Sequence, residues 1–277
     1  RDAPPPMPAR RVRHAGSRVR HVIWDDLQRA LEAELGERVS IDALTGAWQI
    51  AQRVRGHRHS ADDVLTAHYA IRAVPDAAGA LDLGAGIGTV GLMALSRLAA
   101  DARLVCVEAQ AVSFRLLQAN IEGNHLTARV EPHHGDLRDF ADARRFRLVT
   151  GSPPYFPLGT GVLPDDDQKI AARFEVRGDV ADYARAAARH LTEDGTFVFC
   201  FPTPQRARAL AAVRDAGLVT VTYQDVIPRA SLKPLFTLFA ARWTGTLTVE
   251  EPLVVRHIDG ALTEEMRAVR RGFGFVT

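Results

Sequence analysis

Cysteine is nearly absent from this chain: Cys106 and Cys200 are the only two in 277 residues. Two are too few for a disulfide framework, and neither belongs to a paired spacing that would ligate zinc. Each sits in a short apolar run and is expected as a small core residue in a reducing compartment. No apolar run reaches the roughly 18 residues that a membrane helix requires, and residues 1–20 lack the apolar centre of a signal peptide. A cytoplasmic protein with no membrane partner is therefore expected. Lysine is scarce too, with Lys169 and Lys233 the only ones among 35 basic residues. Arginine carries the positive charge, a usage that GC-rich coding alone would also produce.

The net charge of +2 is no nucleic-acid footprint by itself, but it is unevenly spread. Residues 1–21 hold Arg1, Arg10, Arg11, Arg13, Arg18 and Arg20 against Asp2, giving +5 and leaving about −3 for the rest. Such an arm can hold phosphates by counterion release. Its prolines Pro4, Pro5, Pro6 and Pro8 and its lack of apolar periodicity predict loose attachment to the fold. The length suits one large α/β domain. The domain plan is a basic arm at 1–21, a helix-and-strand extension over the active site at 22–75, and the main domain at 76–277.

Apolar spacing predicts a helix from Trp24 to Leu35, ended by Gly36, a strand over 48–54, and a helix from Ser60 to Val74 with Asp63 completing a capping box. Strands near 80–83, 103–107, 128–133, 146–150 and 196–201 then alternate with helices near 89–99, 111–122, 179–191 and 204–216. That order predicts a doubly wound, mostly parallel sheet. Two β-rich runs, 218–227 and 235–243, follow without a helix and predict a closing antiparallel pair.

The motif LDLGAGIGTVGL spans 81–92. A strand ending in Asp82 meets a turn with Gly84, Gly86 and Gly88, where backbone can bend freely and approach a ligand closely. The spacing alone could serve a dinucleotide. Glu108, at the end of the next strand, can accept both hydroxyls of a ribose, and Asp136-Leu137, after the third, can meet an adenine. Each acid alone reads as an ordinary loop carboxylate. Three in register suit a cationic adenosyl cofactor, whereas Asp82 would repel a pyrophosphate. After the fourth strand comes Ser152-Pro153-Pro154-Tyr155. Two prolines make this loop rigid and leave its carbonyls without local donors; such a carbonyl, with a polar neighbour, can accept both hydrogens of a planar amine while Tyr155 stacks on the ring. A rigid turn covering the sheet edge is the plainer alternative.

From about Trp48 to Arg270 the chain resembles bacterial tRNA(Val) adenine-N(6)-methyltransferases, within the wider group of amino methyltransferases. The resemblance rests on Gln52, GHRHSADDVL at 56–65, LDLGAGIG, PPYF at 153–156, AARFE at 171–175, LTEDGTFVF at 191–199 and LVVRHIDG at 253–260. It implies a seven-stranded Rossmann-like methyltransferase fold and S-adenosyl-L-methionine as cofactor, released as S-adenosyl-L-homocysteine. It places Gln52 and Asp62 near the methionine end, Asp82, Gly84, Gly86, Gly88, Glu108, Asp136 and Leu137 around the adenosine, and Ser152 to Tyr155 at the transferred group. Phe156 and Arg173 would border the target, with tRNA the expected substrate and a monomer or weak dimer the expected state. The family usually has asparagine, sometimes aspartate, where this chain has Ser152, a shorter and weaker acceptor. Methylation of a protein glutamine, methylation of a small-molecule amine, and a non-catalytic RNA-binding module are the competing readings. His57, His59, His133 and His134 have no third ligand at suitable spacing, so no metal is expected.

Overall fold

The computed structural model describes residues 15–160 and 164–276. A helix, α1 (Ala15–Leu35), leads into a hairpin of β1 (Val39–Ala43) and β2 (Gln49–Arg53), followed by α2 (Ala61–Ala73). The doubly wound part runs β3 (Gly79–Leu83), α3 (Thr89–Leu95), β4 (Arg103–Glu108), α4 (Ala111–Gly123), β5 (Val130–His134) and β6 (Phe146–Gly151). Then come α5 (Asp167–Arg173), α6 (Val180–His190), β7 (Leu191–Pro202), α7 (Arg206–Asp215), β8 (Val219–Ile227), β9 (Phe236–Arg242), β10 (Thr248–Val254) and α8 (Glu264–Gly272). No helix among the described residues is long and apolar enough to cross a membrane.

Eight strands form the main sheet in the order β10-β8-β9-β7-β6-β3-β4-β5. Only β9 opposes its neighbours, β7 and β8; the other pairs are parallel. The expected antiparallel pair is therefore present, and the expected seven strands are joined by an eighth. β10 pairs in parallel with β8 through a register shift between Glu250 and Leu253. Its edge position tolerates Pro252, whose missing N–H costs nothing there.

Alternation along each strand feeds two apolar layers. Phe197, Phe199 and Phe201 of β7 point to the face covered by α6 and α7, while Val198 and Cys200 point to the other. Phe199 stacks on Phe197 at 4.7 Å and on Phe239 at 4.8 Å. Cys106 and Cys200 are both buried free thiols, as their apolar surroundings in the sequence predict.

The extension at 22–75 shares this core. Leu65, Ala67 and Tyr69 of α2 and Leu31 of α1 belong to the same buried cluster as Leu92 and Met93 of α3. Helix α1 starts at Ala15, nine residues before the expected Trp24; in the sequence Val19, Val22 and Ile23 continue the spacing of Leu27 and Leu31 towards the N-terminus. Of the basic arm expected at 1–21, residues 1–14 lie outside the described residues, and 15–21 belong to helix α1. Trp24 is buried against Gly123, where a Cβ would lie 2.5 Å from the indole.

Helix α4 treats β2 as a strand partner. Asn120 Oδ1 accepts the Ala51 N–H at 2.6 Å, and its Nδ2 donates to the carbonyls of Ala51 at 3.3 Å and Ile87 at 2.9 Å. One turn on, Asn124 Oδ1 accepts the Gln49 N–H at 2.9 Å while Nδ2 returns to the Gln49 carbonyl at 2.8 Å. Asn120 is fully buried, so Asn120→Leu takes the partner from the Ala51 N–H and the donor from the Ala51 and Ile87 carbonyls. That variant is expected to lose roughly 2–4 kcal/mol in urea unfolding, and Asn124→Ala clearly less; equal losses would show that the buried asparagine is not the tie.

Candidate functional site

The glycine turn between β3 and α3 is held on every side. Ala85 N–H donates to the Val107 carbonyl at 2.9 Å, and Gly86 N–H to Glu108 Oε2 at 2.7 Å. Gly84 has φ +62°, and a Cβ on it would lie 2.0 Å from the hydroxyl of Tyr183, so glycine is required there by conformation and by contact. Gly88, at φ +93°, caps α3 with its α-carbon facing Leu117, where a Cβ would come within 2.6 Å. It is a packing glycine that does not line the cavity.

The carboxyl ends of β3, β4, β6 and β7 open into a cavity of about 640 Å³. Asp82, Gly84, Gly86, Glu108, Leu137, Asp62, Ser152, Pro153, Pro154, Tyr155, Phe156 and Arg173 all line it, which brings together twelve of the fifteen residues expected from sequence. Gln52 and Asp136 join Gly88 outside the lining. Gln52 is buried one layer below: its Nε2 donates to Asp42 Oδ2 at 2.9 Å and its Oε1 accepts the His59 N–H at 3.1 Å, so it holds the 57–60 loop that roofs the cavity. The Asp136 carboxylate is taken by Arg138, whose Nε lies at 2.9 Å and Nη2 at 2.6 Å. Its proximity to the cavity is through Leu137.

Glu108 is buried with each oxygen accepting one backbone N–H, from Gly86 at 2.7 Å and Gln110 at 2.6 Å. Burial raises its pKa, opposed by those two bonds. Each oxygen keeps a further lone pair, which fits vicinal hydroxyls. Asp82 is braced differently: Oδ2 accepts from Gly91 N–H at 3.0 Å and Oδ1 from Thr150 Oγ1 at 2.7 Å. It fixes the start of α3 from beneath the turn.

The loop after β6 is equally constrained. Tyr155 N–H and Phe156 N–H both donate to the Arg173 carbonyl, at 3.0 and 2.9 Å. Gln205 Nε2 donates to the Tyr155 carbonyl at 2.7 Å. The Tyr155 hydroxyl donates to Asp62 Oδ2 at 2.9 Å and lies 3.3 Å from Cys200 Sγ, which in turn lies 3.9 Å from Ser152 Oγ. Burial, then Cys200 and Asp62, push the Tyr155 phenol well up, so it stays a donor.

A strap unrecognised in the sequence closes the cavity. Helix α5 contributes Gln168, Ala171, Ala172 and Arg173 to the lining. Its N-cap Asp166 pairs with Arg53 at 2.8 Å, Gln110 Nε2 donates to the Asp167 carbonyl at 2.9 Å, and Gln168 Nε2 to Ser113 Oγ at 3.1 Å. Gln168 and Tyr183 were not singled out in the sequence, since neither type carries a motif. The lining carries both signs of charge: Asp62, Asp63, Asp82 and Glu108, with Arg173 from the strap and Arg177 from the segment after it. Arg177 Nη1 donates to the Ala109 carbonyl at 2.6 Å, beside Glu108.

A glycine turn and acidic strand end beside a rigid Pro-Pro-Tyr loop, sharing one cavity, define a nucleoside-using group-transfer enzyme. Residues 63–212 match the family model described as "Methyltransferase small domain". The chain belongs to that family and is a methyltransferase. It is similar to the tRNA1(Val) (adenine(37)-N6)-methyltransferase of Klebsiella pneumoniae, 30% identical over 195 residues, 70% of this chain and 79% of that one. The protein of the same name from Actinobacillus succinogenes is 31% identical over 147 residues, 50% of this chain and 61% of its own. Among solved structures, a predicted O-methyltransferase from Agrobacterium tumefaciens superposes with a TM-score of 0.59 at 21% identity, over 76% of this chain and 96% of that one. At that identity the likeness is one of fold.

Burial, then the hydrogen bonds and Glu108, set the Asp82 pKa, which rises from 3.8 to about 6. The unfolded chain thus releases this proton at lower pH than the folded one. Below 3.8 the group contributes no pH dependence; between 3.8 and 6 stability falls as pH rises, and above 6 the full loss is in place. That loss is roughly 3 kcal/mol. Asp82→Asn is expected to remove this component from a urea-unfolding series between pH 4 and 8; an unaltered pH slope would contradict the assignment.

Proposed function

We propose that this methyltransferase uses S-adenosyl-L-methionine to methylate the exocyclic amine of an adenine in RNA, with tRNA the substrate class. One observation carries the reading: the Ser152–Tyr155 loop faces the same cavity as the glycine turn and Glu108. The relatives named for tRNA adenine-N6 methylation support the substrate.

When bound, the cofactor supplies an electrophilic methyl group on a sulfonium sulfur. The chain's own contribution is position. Glu108 receives the ribose hydroxyls, and the Asp62 and Asp82 carboxylates in the same lining favour a cation. On the acceptor side, Ser152 Oγ and the Pro153 carbonyl take the two amine hydrogens and stabilise positive charge as it develops on nitrogen. The Tyr155 ring supports the base, its angle set by Asp62. Holding a reacting pair in near-attack geometry accounts for several orders of magnitude in rate, and no strong general base is needed because an alkylated amine of this kind loses its proton readily.

The test is single-turnover transfer of a labelled methyl group offered to bulk tRNA, a protein extract and a metabolite extract. Label is expected in the tRNA fraction and, after digestion, on adenine nitrogen. Tyr155→Ala is expected to lower transfer by about 10–100-fold, the size of one base-stacking interaction, with cofactor affinity retained. Ser152→Asn is expected to keep or raise it. Label confined to protein or metabolites would overturn the RNA reading and leave the methyltransferase standing.

A further inference from the structure

The sheet edge that carries the cavity extends beyond it. β8 and β10 run parallel to each other and in the same sense as β7, because β9 is antiparallel to both β7 and β8. The loops after β8 and β10 therefore emerge at the same edge as the Ser152–Tyr155 loop. Strands lie about 4.8 Å apart, so this edge continues for roughly 15 Å from β7 to β10.

These two loops, 228–235 and 255–262, form one ledge. Ala230 N–H donates to the Arg256 carbonyl at 2.9 Å, and Leu232 N–H closes a turn on the Arg229 carbonyl at 2.8 Å. Arg256 Nη1 donates to the Gly260 carbonyl at 2.7 Å, and His257 N–H to the Ala261 carbonyl at 2.8 Å, leaving Ile258 at the tip of a tight turn. Leu232 is 55% exposed, Leu235 59% and Ile258 72%. Leu235 also lines the cavity, which makes the ledge continuous with the target compartment. Arg229, Lys233 and Arg256 are exposed in the same two loops. The one acid in the two loops, Asp259, is engaged with the Ala261 N–H at 2.9 Å.

We propose that this ledge holds the single-stranded RNA next to the target base, an inference that rests on the RNA reading above. Clustered exposed aliphatic side chains mark an interaction surface. A protein partner covering them would desolvate Lys233, and lysine is depleted from protein interfaces. An RNA strand fits both features at once: splayed bases lie on the aliphatic side chains, and phosphates meet the cations. The prolines Pro228 and Pro234 stiffen the first loop, so little order has to be acquired on binding.

The experiment measures binding of labelled bulk tRNA across a salt series, and steady-state methylation of the same tRNA, for the full chain and two double variants. Cofactor titration calorimetry on each variant checks that the fold is intact. Arg229→Glu with Lys233→Glu is expected to weaken tRNA binding about tenfold or more and to flatten the log–log salt slope by roughly one to two. Leu232→Asp with Ile258→Asp is expected to raise KM for tRNA about tenfold. Both variants matching the parent chain on a tRNA that is methylated would overturn the ledge and leave the RNA reading intact. Methyl label entering only protein, with no tRNA bound by the parent chain, would overturn both.

Discussion

The carboxylate of Glu108, buried and bonded to the N–H groups of Gly86 and Gln110, is the constraint around which the site is arranged. It joins the end of β4 to the turn after β3, so the glycine turn cannot move without breaking a charge-assisted bond in a dry environment. The other supports agree with it. Tyr183 fills the space under Gly84, Asn120 holds the Ile87 carbonyl, and Asp82 holds the Gly91 N–H. Three of these four ties run to elements distant in sequence, and Asn120 carries the tie outward to β2. The N-terminal extension is thus part of the cavity's scaffold.

The second half of the site depends on a different bond, between the Tyr155 hydroxyl and Asp62. It links α2, which covers one face of the sheet, to the Ser152–Tyr155 loop. The Cys200 thiol lies beside both Tyr155 and Ser152, so the small side chain at 152 is backed by another small residue.

Much of this was legible in the sequence because it was written in patterns with a physical period. Strands β3 to β9 alternate or run apolar between turn residues, and the glycine turn and the Pro-Pro-Tyr loop follow directly from conformational limits on those residue types. Four elements were not expected: β1 and α8, although Met266 and Val269 lie one helical turn apart, and two whose sequences have no period. β10 reads TVEEPLV, with two acids and a proline, and only its place at the sheet edge makes it a strand. Helix α5 is 7 residues long, too short for apolar spacing to register, yet it supplies four residues of the cavity lining. Gln52 and Asp136 sit at plausible distances along the chain from the cavity, but hydrogen-bond partners decide their roles: Asp42 and His59 hold the first, Arg138 the second. Gly88 follows the cofactor spacing and serves packing against Leu117.

We propose Glu108 as the ribose acceptor of an adenosyl-binding cavity. That role is tested most directly by a binding cycle: calorimetric affinities of S-adenosyl-L-homocysteine and of its 2′-deoxy analogue for the parent chain and for Glu108→Gln. The account predicts that the parent discriminates between the two by about tenfold or more, since a charge-assisted hydrogen bond contributes roughly 1.5–3 kcal/mol, and that most of this discrimination disappears in the variant. Equal loss on deoxygenation in both proteins, or no discrimination in the parent, would contradict it.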